Sequence, residues 1–98
     1  MTFLQKAILH LHQANAIWTE TVSVREVLKG RIIWDGQVEV FRLSGHPKAK
    51  RCFAWSHKDG PQDSQDKFVA VLEIPPVKSA QDAVRVAIAH EVRESHKN

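Results

Sequence analysis

The densest concentration of chemistry-bearing side chains is Gly45-His46-Pro47-Lys48-Ala49-Lys50-Arg51-Cys52-Phe53-Ala54-Trp55, where a turn, a cationic cluster and an aromatic alternation follow without a break. From Arg42 to Lys58 the chain holds five basic residues (Arg42, Lys48, Lys50, Arg51 and Lys58) and no Asp or Glu. That segment carries +5 while the whole chain carries +3, leaving −2 for the remainder. Basicity confined to one segment is the electrostatic footprint of an anionic partner. Nucleic acid asks for cations that follow a phosphate backbone and rings that stack bases. Read as a strand, the segment puts Ala49, Arg51, Phe53 and Trp55 on one face, with Trp34 able to lie beside them. Lys48, Lys50, Arg51, Lys58, Trp55 and Trp34 are therefore the candidate residues for binding nucleic acid or a phosphate-bearing ligand. The competing reading puts Phe53 and Trp55 in the core, where large strand aromatics usually reside.

A second reading is a small-ligand binder or enzyme. His46 sits at a strand-to-strand turn, a position that often displays catalytic groups, and a strand glutamate such as Glu39 would have to partner it in a Trp-lined cleft. The sequence supplies no catalytic signature for this: there is no Gly-rich phosphate loop, no nucleophile elbow and no HExxH. Among the six histidines, His10 and His12 are two apart on a helix and point to different faces, so no metal site or cofactor is expected. Cys52, central in a strand, reads as a small buried hydrophobe rather than a nucleophile. The strand glutamates Glu20, Glu26, Glu39 and Glu73 are most simply explained by cross-strand pairing with Arg25, Arg31, Arg42 or Arg51. The non-enzymatic reading leads.

A chain of 98 residues makes one domain, 1–98, with enough core to fold unaided. One cysteine permits no intramolecular disulfide, which points to a reducing compartment and hence the cytoplasm. The apolar start is interrupted by Gln5, Lys6, His10 and His12 and does not read as a secretion signal. No run approaches the roughly 18 to 20 apolar residues of a membrane span, so no membrane partner is expected.

These residues must be positioned by six elements. Phe3, Leu4, Ala7, Ile8 and Leu11 recur at helical spacing from Thr2 to about Gln13, with Thr2 as N-cap, Gln5 completing a capping box and Asn15 tolerating a left-handed conformation at the end. From Ile17 the β-branched residues argue for a strand and Gly30 for a tight turn; Asp35-Gly36 admits either a second hairpin turn between two short strands or a glycine bulge in one long strand from Arg31 to Leu43, and the shortness of Ile32 to Trp34 favours the bulge. Ser44 to Pro47 break it, and a third strand begins near Ala49. The polar run from His57 to Lys67 reads as a loop. Lys67 to Ile74 is nearly continuously apolar and predicts a central strand. Pro75-Pro76 end that strand, and Ser79 with Asp82 caps a last helix with a stripe of Ala83, Val84, Ala87, Ile88 and Val92. The expectation is an α+β fold: helix, four-stranded antiparallel meander, helix, with both helices on one sheet face. The other face, left open and apolar, predicts a homodimer.

The run Gly30 to Phe41 (with Trp34, Gly36 and Val38-Glu39-Val40-Phe41), followed by Gly45-His46-Pro47-Lys48-Ala49, Ala54-Trp55 and Phe68 to Val77 ending in Pro75-Pro76-Val77, resembles a family of short uncharacterised bacterial proteins. The match covers most of the chain after Glu20, and Phe53 stands where relatives often have Tyr. The resemblance implies a bacterial cytoplasmic protein; it carries no activity, cofactor or catalytic residue.

Overall fold

The computed structural model describes residues 2–57 and 67–95. The elements are α1 (Thr2–His12), β1 (Asn15–Leu28), β2 (Arg31–Ser44), β3 (Arg51–His57), β4 (Lys67–Leu72) and α2 (Ala80–Ser95). The four strands form one antiparallel sheet in the order β1-β2-β3-β4. The expected α+β meander between two helices is the fold.

The local signals act largely as their chemistry requires. Lys29 and Gly30 have φ of 52° and 78°, the two positive values of a type I′ hairpin turn. Ser79 Oγ accepts the Asp82 amide at 3.2 Å, and Asp82 Oδ2 accepts the Lys78 amide at 3.0 Å, so the N-terminus of α2 is capped from both sides. At α1, Gln5 Nε2 donates to the Ala16 carbonyl at 3.0 Å, tying the helix to β1. One expectation is corrected there. The left-handed residue is Gln13 (φ 52°), whose amide reaches the Leu9 carbonyl at 2.9 Å, and Asn15 already begins β1.

Successive strand residues point to opposite faces, and at β3 both faces are dry. Phe53 and Trp55 of β3 pack with Val38, Val40, Ala83 and Val84, under α2. Cys52 and Ala54, their immediate neighbours, pack with Leu4, Ile8 and Phe41, under α1. The helices therefore lie on opposite faces of the sheet, not on one. No open face remains over β3, and the basis for a dimer through such a face disappears. β4 is corrected for the same reason. It is an edge strand, not a central one, because its unbroken apolar run reflects Phe68, Ala70 and Leu72 on the α1 side and Val69 and Val71 on the α2 side. An apolar run reports two covered faces, not two hydrogen-bonded edges.

β2 is one long strand, as expected, but its irregularity lies at Ile33, which has no partner between the pairs Glu26–Trp34 and Val27–Ile32. Gly36 stays in register with Val24 and serves a different purpose. A Cβ there would meet Trp34 Cη2 at 3.1 Å, so the missing side chain makes room for the indole. Trp34 in turn meets Trp55 edge-on, with ring centroids 5.5 Å apart at 71°. Gly36→Val should expel the Trp34 ring and cost about 1–3 kcal/mol, read as a lower urea midpoint with altered tryptophan fluorescence. An unchanged midpoint would show that the ring has room elsewhere.

Candidate functional site

The sequence candidates divide once side-chain positions are known. Gly45, at φ 89°, turns the chain out of β2. His46 then accepts two backbone amides on Nδ1, from Lys48 at 3.0 Å and Ala49 at 2.9 Å. An imidazole that accepts on Nδ1 carries its proton on Nε2, so the ring caps the turn in its neutral form. This corner directs Lys48 and Lys50 into solvent, and Ala49, 3% exposed, anchors it to the core.

Arg51 faces the α2 side and is already committed. Its Nε donates to Glu73 Oε2 at 2.9 Å, and its Nη2 contacts the same oxygen. Nη2 also lies 3.4 Å from the Lys78 carbonyl, and Cζ stands 5.3 Å from the Phe53 ring centroid. The hydrogen bond to Glu73, the largest effect, raises the guanidinium above its ordinary pKa against a smaller opposing effect of burial. Arg51 thus links β3, the end of β4 and the approach to α2. Arg42, its direct cross-strand neighbour, is exposed and makes no ion pair among the described residues.

Trp55, expected as a stacking residue, is 5% exposed and belongs to the core; Phe53, at 1%, lies beside it. Trp34 is half-buried against it. The reason is the sheet's alternation, which turns the odd-numbered residues of β3 toward α2. No stack of bases can use Trp55. Lys58 lies outside the described residues.

His46 and Glu39 are not brought together. Five residues of extended β2 separate Glu39 from Ser44, roughly 17 Å, and Glu39 Oε1 accepts Trp18 Nε1 at 2.8 Å and Thr21 Oγ1 at 2.5 Å. Among the described residues, no group of three His, Cys, Asp or Glu could hold a metal ion.

One cleft escaped the sequence reading. About 280 Å³ in volume, it lies where the start of α2 meets β1, β2 and β3. Val22, Val24, Val40 and Phe53 line it, with Arg51, Lys78 and Gln81 at its polar side. Gln81 Nε2 donates to the Arg25 carbonyl at 3.1 Å and to Glu26 Oε2, and Arg85 Nε donates to Glu26 at 3.0 and 3.1 Å. Gln81 and Arg85 hold Glu26 while Arg51 holds Glu73, which positions α2, and a guanidinium that stays protonated does no acid–base work. The Ser79 cap was legible; which strand residues would face it was not.

Burial pushes the Cys52 thiol up to about 12. The native chain at pH 8 should therefore leave Cys52 unmodified by Ellman's reagent and release one thiol equivalent only on unfolding, whereas rapid native labelling would place Cys52 at the surface. Linkage has a definite sign. An unfolded thiol ionises near 9 and the folded one near 12, so Cys52 withdraws stability as pH rises through that window. Compared with protein-family models, with curated proteins and with solved structures, the chain matches none, so its functional reading rests on this geometry alone.

Proposed function

We propose that the chain is a small non-enzymatic binding domain that engages the phosphate backbone of a nucleic acid through Arg42, Lys48 and Lys50 at the corner between β2 and β3. The observation that carries this reading is the imbalance of pairing there. Arg25, Arg51 and Arg85 each meet a carboxylate, on Asp35, Glu73 and Glu26 respectively. Arg42, Lys48 and Lys50 are exposed, with no such partner among the described residues. Like charges gathered at one corner repel one another, and phosphates relieve that repulsion. Lys58 continues the same basic run in the sequence.

With Trp55 in the core and Trp34 packed onto it, base stacking drops out of the reading. Affinity would come from phosphates and would be largely independent of base sequence. A bacterial cytoplasmic setting belongs to the same proposal, resting on the lone buried cysteine and the motif resemblance. Self-association is no part of it, since the corner is complete within one chain.

The test is binding to a short DNA duplex across a salt series. Neutralising three or four phosphates gives a slope of log affinity on log salt of about −3, which is about a 60-fold loss between 50 and 200 mM. Lys48→Ala with Lys50→Ala should flatten that slope by about 2 while leaving thermal unfolding unchanged. Absence of binding at low salt sinks the proposal.

A further inference from the structure

Residues 27–33 are seven consecutive exposed positions at the free end of the β1–β2 hairpin. Four of them are large aliphatics: Val27 is 51% exposed, Leu28 57%, Ile32 55% and Ile33 44%. The hairpin projects because β2 pairs with β3 only over Glu39–Arg42, so residues 31–38, roughly 25 Å of strand, pair with β1 alone. Helix α2 supports this arm as far as Glu26, through Gln81 and Arg85, and Trp34 packs against Trp55. Nothing among the described residues covers what lies beyond. A hairpin tip is ordinarily polar, and leaving four aliphatic side chains in water contributes nothing to folding.

The tip also carries Lys29 and Arg31, both exposed and without an ion pair among the described residues. The nearest carboxylates in sequence are engaged: Glu26 by Arg85, Asp35 by Arg25 at 3.3 Å. From Val27 to Trp34 there is no acidic residue.

We propose that this tip is an interfacial anchor for an anionic lipid surface, inserting Val27, Leu28, Ile32 and Ile33 at the headgroup boundary while Lys29 and Arg31 meet lipid phosphates. Charge complementarity selects that occupant. A second copy meeting tip to tip would oppose four cations across the contact, and a neutral apolar groove would leave Lys29 and Arg31 unpaired. A bilayer offers both the apolar depth and the negative charge, and a fluid surface closes around a convex protrusion without needing a matching shape. No helix among the described residues is long and apolar enough to cross a membrane, which concerns spanning and not surface attachment. The tip and the nucleic-acid corner occupy opposite ends of β2 in a molecule 38 Å in its longest dimension, so the two can be tested separately.

The experiment is co-sedimentation of the whole chain with phosphatidylcholine vesicles, with and without about one-third phosphatidylserine, alongside sedimentation of the chain alone. Two cations near an anionic surface are each worth about fivefold, so binding to the mixed vesicles should exceed binding to pure phosphatidylcholine by about 25-fold and shrink at high salt. Ile32→Ser with Ile33→Ser should abolish binding, and Lys29→Ser with Arg31→Ser should reduce it to the phosphatidylcholine level. Both variants should keep the parent's circular dichroism and thermal midpoint because the altered side chains are exposed. Lys48→Ala with Lys50→Ala should bind vesicles as the parent does, whatever becomes of its DNA binding. Equal affinity for the two vesicle types, or tip variants that bind the mixed vesicles as the parent does, overturns the proposal. So does a chain that ignores vesicles but forms a dimer which the Ile32 and Ile33 changes dissolve.

Discussion

The structure depends on one strand, β3, that must be dry on both sides. Cys52, Phe53, Ala54 and Trp55 are consecutive and none is more than 5% exposed. In a strand that is possible only if each face has its own cover, and one helix cannot supply both. The volumes are matched across each layer. On the α2 side the sheet offers Phe53 and Trp55 and the helix brings Ala80, Ala83 and Val84. On the α1 side the sheet offers the smaller Cys52 and Ala54, and the helix brings Leu4 and Ile8 over them, with Phe41 beside. Large side chains meet small ones in both layers, as close packing demands. Burying Phe41 or Phe53 in this way contributes about 1.5–3 kcal/mol each.

Charge is then arranged around that core. Glu26 with Arg85, and Arg51 with Glu73 and the Lys78 carbonyl, join strands to α2 or to its approach, while the Gln5 amide joins α1 to β1. The ion pairs are partly exposed, so each contributes at most about 1 kcal/mol. Their main effect is to orient each helix on a face already chosen by packing. Once these partners are assigned, the positive charge without a carboxylate includes Arg42, Lys48 and Lys50 at one end of β2 and Lys29 and Arg31 at the other. The basic character seen in the sequence thus separates into charge spent on structure and charge facing solvent.

Features encoded by neighbours in the chain were legible. Gly30 marked the hairpin, Ser79 and Asp82 marked the start of α2, and the alternation Arg51, Phe53, Trp55 gave the correct face partition of β3. Some local detail was not. Gln5 lies in the first turn of α1, yet its side-chain N–H reaches the Ala16 carbonyl of β1. Gly36 looks like a bulge but is a place for the Trp34 ring. The Gln5 partner comes from another element, and the Trp34 ring, two residues along the same strand, is held near Gly36 by its contact with Trp55 of β3. Arg51 illustrates the same limit at the candidate site: its cross-strand pairing was foreseeable as a class, but only the approach of Glu73 from the end of β4 removes it from the free cations.

The sequence by itself determined the class of the fold, the order of its elements, the chemistry of its turns and the location of its basic run, because these follow from residue type and short-range periodicity. The tertiary structure decided that the helices cover opposite faces, that β4 lies at an edge, that Trp55 is core, and that the apolar tip of the β1–β2 hairpin is left uncovered. The physical reason is common to all four. A strand's pattern reports whether its side chains are buried but not by what, and the identity of the cover depends on elements remote in sequence whose packing volumes and polar partners are settled only when they meet.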